Sequence, residues 1–172
     1  MMGSKTRYTV RYRRRREGRT DFKKRLELLK GGKDRLVIRR TNTQLIMQII
    51  RYNPTGDKVL LTTKSSELKK KGWKYSCKSL PAAYLAGLLL AKNAAAHNVK
   101  EAVLDLGLQS PWHGTRLFSA LKGVVDGGIK IPVNEKAFPS NDRLSGKHIA
   151  AYLEKSKNIT ADFEKLKQEL SR

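Results

Sequence analysis

The chain of 172 residues predicts a mixed α/β fold. Three antiparallel strands are joined by a fourth that is added through a helix, with a basic arm in front and a helical extension behind. Three observations carry this. Between residues 35 and 63, short β-branched segments alternate with turn residues. Residues 80–91 form a twelve-residue apolar run, helical in composition and too short to span a bilayer. After it, "EAVLDLGL" at 101–108 reads as a buried strand, which reaches the sheet by a βαβ-type crossover.

Each element follows from its residues. The stretch "RYTVRYRRRREGR" at 7–19 holds seven arginines and two tyrosines, without apolar periodicity. Thr20 or Asp21 caps a helix over "DFKKRLELLKGG", in which Phe22, Leu26 and Leu29 make an i, i+4, i+7 stripe for docking and Gly31-Gly32 supplies the stop. Lys23, Lys24, Arg25 and Lys30 lie largely off that stripe, so the docked helix still presents positive charge. "RLVIRR" at Arg35–Arg40 is the first strand; "TN" turns into a second over 43–53, and "NPTGD" turns into a third over 58–63. In the second strand Leu45, Met47 and Ile49 share one face and Ile46, Gln48, Ile50 and Tyr52 the other, so both faces of the sheet are expected to be largely covered.

"KSSELKKKGWKYSCK" at 64–78 carries six lysines and a short helical turn over 67–71 that Gly72 ends. Ser79 caps the next helix, with Pro81 in its first turn, and its apolar surface on nearly all sides makes it central and buried. "GTRLFSALKGVVDGG" at 114–128 is amphipathic, with Leu117, Phe118, Leu121, Val124 and Val125 inward, and its glycines fit turns and helix ends. The chain is irregular from about 134 to 145, and two short peripheral helices follow over 147–155 and 160–170. This β-β-β-α-β-α order resembles a ribonuclease-H-like layout. The organisation is an arm over 1–19, a core over 20–131 and a C-terminal extension over 132–172.

Charge is distributed unevenly. Residues 1–40 hold sixteen basic and four acidic side chains, residues 41–80 eight and two, and the remaining ninety-two residues thirteen and nine. A formal charge of +22 piled at one end points to a polyanion-binding face. The single cysteine, Cys77, rules out an internal disulfide and a cysteine-based metal cluster, and the three histidines show no metal-ligand spacing. No secretory or membrane-spanning pattern is found, so a soluble, intracellular chain is expected.

The layout raises one enzymatic reading, a metal-dependent nuclease holding two ions on carboxylates at strand ends. Asp105 on the fourth strand and Asp126 at a helix end are available. The first strand offers no acid, however, and Glu67 and Glu101 stand isolated among basic or apolar neighbours. Without a carboxylate cluster two Mg²⁺ ions lack ligands, which casts Asp105 as structural. No phosphate-loop motif or nucleophile pattern occurs either. An enzyme, a cofactor, a metal and a small-molecule substrate are all unneeded.

A binding role has independent supports. Arginine engages phosphate through a planar fork and stacks on bases, so Arg7, Arg11, Arg13, Arg14, Arg15, Arg16 and Arg19 form a more specific limb than lysines would. Tyr8 and Tyr12 suit stacking on unpaired bases, which favours RNA with loops and bulges. Lys64, Lys69, Lys70, Lys71, Lys74 and Lys78, interleaved with Trp73 and Tyr75, make a second cluster. Arg39, Arg40 and Asn42 at the first hairpin make a third.

Several segments together resemble a known family. They are "RYRRRREGRTDFKKRLELLKGGKDRLVIRRTNTQLIMQII" at 11–50, "DLGLQ" at 105–109, "GTRLFSALKGVVDGGIKIPV" at 114–133 and "RLSGKHIAAYLE" at 143–154. In this order they resemble universal large-subunit ribosomal protein eighteen in its archaeal form, whose eukaryotic counterpart is large-subunit protein five. The resemblance implies a non-enzymatic, cytoplasmic constituent of the large subunit. It would bind 5S ribosomal RNA, help seat it in the central protuberance, and touch 23S ribosomal RNA and neighbouring ribosomal proteins. Carried over by position, the arginine arm, Lys23, Lys24 and Arg25, the "RRTN" hairpin at 39–42 and the lysine-rich loop would contact RNA. "SPWHG" at 110–114 departs from the family's pattern, and the tail after Glu154 is weakly matched. A docking role for that tail would use the stripe of Phe163, Leu166 and Leu170.

Overall fold

The hairpin segments pair as their turn chemistry dictates. In this computed structural model, which describes residues 9–171, β1 (Arg35–Arg40), β2 (Leu45–Arg51) and β3 (Lys58–Lys64) form an antiparallel meander. Thr41 donates its backbone N–H to the Gln44 carbonyl at 2.8 Å to close the first turn, and Gly56 donates to Asn53 at 3.0 Å to close the second. A register shift between Ile49 and Ile50 marks the β2–β3 ladder.

The fourth strand, β4 (Val103–Asp105), joins the far edge parallel to β1, giving the order β3-β2-β1-β4. It is shorter than the eight residues expected. Downstream, Gly107 takes a positive φ of 61° and donates its N–H to the Asp105 carboxylate at 2.9 Å, which turns the chain out of the sheet. Upstream, Glu101 bridges to Lys130 instead of to β1.

Between β3 and β4 come a 3-10 turn over Ser65–Lys71, ended by Gly72 at φ 91°, and the long helix that carries the crossover. In chain order the helices are α1 (Arg13–Arg16), α2 (Phe22–Lys30), α3 (Leu80–Ala96), α4 (Arg116–Asp126), α5 (Asn141–Ser145), α6 (Lys147–Tyr152) and α7 (Ile159–Ser171). Ser79 caps α3 by accepting from the Ala82 N–H, and thirteen of the helix's seventeen residues are buried, as its composition requires.

Helix α4 packs against α3 at backbone distance. A Cβ at Gly123 would fall on the Tyr84 carbonyl oxygen, and one at Gly87 on the Ala120 carbonyl oxygen. Gly123 is therefore a packing glycine inside a helix, which corrects its reading as a helix end. Leu117, Phe118, Leu121 and Val124 are buried in this layer, whereas Val125 is only half-buried. Helix α7 adds Ile159, Phe163, Leu166 and Leu170 to the same hydrophobic core, so its apolar stripe is used by its own chain.

Two further expectations change. Helix α2 forms where expected, with Asp21 accepting from Lys23 N–H and Lys24 N–H, yet it buries no residue. Phe22 and Leu26 of its stripe are exposed, Leu26 at 57%, and the side turned to the protein is that of Arg25, Leu28 and Leu29. The second sheet face is also covered unevenly. Val37 on β1 is buried there, but Tyr52 and Val59 toward the β2–β3 turn are exposed.

Candidate nucleic-acid interface

The arginine arm is built of repulsive neighbours. Residues Arg13–Arg16 form the single turn α1, four like charges with one local acid to offset them. Glu17 lies 3.8 Å from Arg13 Nε and 3.1 Å from Arg19 Nε. Arg14 donates through Nε to the Thr20 hydroxyl at 2.9 Å, which ties the arm to the start of α2. Every described arginine of the arm is exposed, and Tyr12 is 84% exposed with its ring free for stacking. Arg7 and Tyr8 lie outside the described residues.

A relay of charges holds α2 to the sheet. Arg25 meets both oxygens of Asp57, at 3.0 and 2.9 Å. Asp57, on the β2–β3 turn, also accepts from Arg35 at 2.6 Å, and Arg35 in turn donates to Asp105 on β4 at 2.8 Å. Arg35 is only 4% exposed, so this relay sits in low dielectric, where hydrogen-bonded charge pairs are strong and breaking one is costly. Arg25 is thus committed first to the fold, although it was expected to face RNA. Asp105 is likewise committed, to Arg35 and to the Gly107 N–H, which agrees with its structural reading. Arg35 was missed as a key residue. A charged residue opening an otherwise apolar strand was the one available signal.

Two hollows show which site residues come together. Around the relay, Arg14, Arg19, Lys24, Arg25 and Arg39 line a space of about 360 Å³ with the three aspartates of the caps and pairs. On the other side, Arg40, Asn42 and Lys78 line a second space with Thr41 and Arg116. Arg39 and Arg40 are consecutive on β1 and therefore project to opposite sheet faces, one into each group. The hairpin cluster read from sequence is in fact divided between two surfaces.

The lysine-rich loop is divided as well. Lys64, Lys69, Lys70, Lys74 and Lys78 are exposed, and Lys71 reaches Glu169 of α7 at 3.6 Å. Trp73 is 2% exposed, packs edge-on against Tyr75 with ring centroids 5.0 Å apart, and donates its indole N–H to the Ser76 carbonyl. A ring with no free face offers nothing for a base to stack on, so Trp73 belongs to the core and its assignment to the interface is corrected. Tyr75 donates to Asp162 of α7 at 2.8 Å. Burial, then that hydrogen bond, raise its phenol above the ordinary value, so it remains a neutral donor. Lys23 of α2 is exposed beside Lys24. Among the described residues no group of three or more His, Cys, Asp or Glu side chains is placed to hold a metal, and no helix is long and apolar enough to cross a membrane.

Comparison with known proteins places this basic architecture. The family described as "Ribosomal large subunit proteins 60S L5, and 50S L18" matches residues 6–100 and 92–134. The "Large ribosomal subunit protein uL18" of Korarchaeum cryptofilum is 49% identical over 154 residues, covering 90% of this chain and 79% of the relative. The protein of the same name from Methanoregula boonei is 46% identical over 165 residues, covering 96% of this chain and 95% of the relative. That of Thermofilum pendens is 43% identical over 166 residues, at 96% and 85% coverage. The expected resemblance thus extends along nearly the whole sequence, and this chain belongs to the family of ribosomal large subunit proteins 60S L5 and 50S L18.

Proposed function

We infer that this chain is a structural constituent of the large ribosomal subunit that binds 5S ribosomal RNA and helps attach it in the central protuberance, touching 23S ribosomal RNA and neighbouring proteins on the way. The observation that carries the reading is the exposure of every described arginine of the arm, which is tied through Thr20 to a basic helix that buries none of its own residues. A helix that contributes no core surface, yet is held in place by a buried charge relay, serves to position charge for a partner. Similarity along 90–96% of the chain, at 43–49% identity, to relatives named large ribosomal subunit proteins supplies the setting. In this reading residues 1–19 are the gripping arm, 20–131 a core of ribonuclease-H-like layout, and 132–172 an extension.

The nuclease alternative finds no support in the geometry. Its best candidate ligand, Asp105, has one oxygen on a buried guanidinium and the other on a backbone N–H.

Removing residues 1–19 tests the proposal. Several phosphate contacts are lost at once, so affinity for a 5S transcript should fall by roughly 100-fold with a flatter salt dependence. The far-ultraviolet circular dichroism of the core should be retained. A filter-binding titration in which affinity and salt slope are unchanged overturns the assignment of the arm.

A further inference from the structure

A hollow larger than the one under α2 lies away from the arm. It is a groove of about 730 Å³ where the starts of α3 and α4 meet α6 and the 3-10 turn at Glu154–Ser156. Arg40, Lys74, Lys78, Arg116, Arg143 and Lys155 line it, together with His113 and His148. No Asp or Glu lines it, and among the described residues none of the six cations forms an ion pair. The contrast with the hollow under α2 is sharp, because there three aspartates offset the cations. Six uncompensated cations around one concavity repel one another unless a polyanion enters.

The rest of the lining narrows the class of polyanion. The floor is apolar, made by Leu80, Leu117 and Ile159, and the rim carries Tyr152 at 75% exposure. Planar cations, an exposed ring and an apolar floor suit a splayed base better than a flexible acidic side chain. Thr115 opens α4 without a side-chain cap bond, and its hydroxyl donates to the Trp112 carbonyl at 2.8 Å. The first N–H groups of that helix, beside Arg116, therefore keep their capacity for a phosphate. Arg116 is steadied by donating to the Lys78 carbonyl at 3.3 Å. The groove also runs into the smaller hollow by sharing Arg40, Lys78 and Arg116 with it, and so continues to Asn42 at the hairpin tip.

We propose that this groove holds an unpaired segment of RNA, with a phosphate at Arg116 and the start of α4 and a base against Tyr152. It is a second site, separate from the arm, made by residues scattered from 40 to 159. The proposal rests on the reading above only in taking RNA as the polyanion, and does not require that RNA to be 5S.

The test uses the full chain and a ten-nucleotide single-stranded RNA carrying 4-thiouridine, photocrosslinked and mapped by mass spectrometry. Crosslinks are expected in segments 112–116 and 143–155 as well as in the arm. In Tyr152→Ala the groove crosslinks should fall about tenfold, the range for loss of one stacked base, while the arm crosslinks stay unchanged. In Arg116→Ala/Arg143→Ala they should fall similarly, and the log-log salt slope of groove binding should flatten by at least about 0.7, the share of the phosphate contact at Arg116 on a single strand. Tyr152 and Arg143 are exposed and the half-buried Arg116 lies outside the hydrophobic core, so neither change removes a core side chain. Crosslinks confined to the arm, or groove crosslinks indifferent to all three substitutions, overturn the proposal. Displacement of the RNA from the groove by an equimolar Glu-rich peptide also overturns it, in favour of an acidic protein segment. A parent chain that does not prefer 5S over a scrambled transcript of equal length defeats only the 5S reading, since the groove crosslinks are scored separately.

Discussion

Helices α2 and α3 begin alike and end in opposite situations. Each starts at a side chain that caps it, Asp21 or Ser79, and each carries leucines. Yet α3 buries thirteen of seventeen residues and α2 buries none. One is held by apolar area and backbone-close packing on α4, and the other by the relay from Arg25 through Asp57 and Arg35 to Asp105. Area is non-directional and sums over many contacts, whereas a charge relay depends on a few bonds with fixed geometry. The difference teaches that this fold keeps its buried apolar area and its exposed positive charge in separate elements.

The sharpest way to break that division is at Arg35, where charge has been placed in the interior. Arg35→Ala leaves Asp105 and Asp57 without their shared partner and should cost about 3 kcal/mol, as expected for breaking a buried pair. Urea unfolding reads the loss, and faster amide exchange over residues 22–30 reads the release of α2. If exchange in α2 is unchanged, the relay is not what holds it.

On the α3 side, Gly123→Ala drives a methyl group into the Tyr84 carbonyl, which has no flexible end to yield. A loss of about 2 kcal/mol in urea unfolding is expected, with α2 undisturbed. A smaller effect comes from Tyr84 itself, whose hydroxyl donates to Asp126 at 2.8 Å. Burial, then that bond, raise its phenol well above the usual value of 10.0. The folded state therefore keeps a proton that the unfolded state has already lost once pH exceeds about 10. This contribution is complete below pH 10 and disappears as pH climbs beyond it. Tyr84→Phe should cost about 1 kcal/mol at neutral pH and flatten the alkaline decline of thermal stability.

The smallest change is expected at the α2 cap. Asp21→Ala removes the acceptor for two N–H groups and should weaken α2 locally by about 1 kcal/mol. Amide exchange over 22–30 should quicken while the global urea midpoint stays put. A shift of that midpoint would show that α2 does support the core, and the comparison would fail.

Much of the molecule was legible in one dimension because its signals are local. β1 matches its expected bounds, the turns fall at "TN" and "NPTGD", and the Ser79 cap and the all-apolar surface of α3 are read directly from spacing. The basic arm follows from charge density, which needs no coordinates. Local rules fail wherever a second segment decides. Trp73 sits among lysines in sequence and among core residues in space. The leucines of α2 promised docking, but Asp57 and Arg35 turned the helix to its Arg25 side. Gly123 resembles a helix end until the Tyr84 carbonyl is seen against it. The sequence by itself determined the strand order along the chain, the buried crossover helix and the basic end. Tertiary structure alone decided which cations are already paired, which rings are free, and that residues from 40 to 159 meet in one acid-free groove. Pairing and desolvation are properties of neighbours in space, and neighbours brought together by folding leave no periodic mark on the chain.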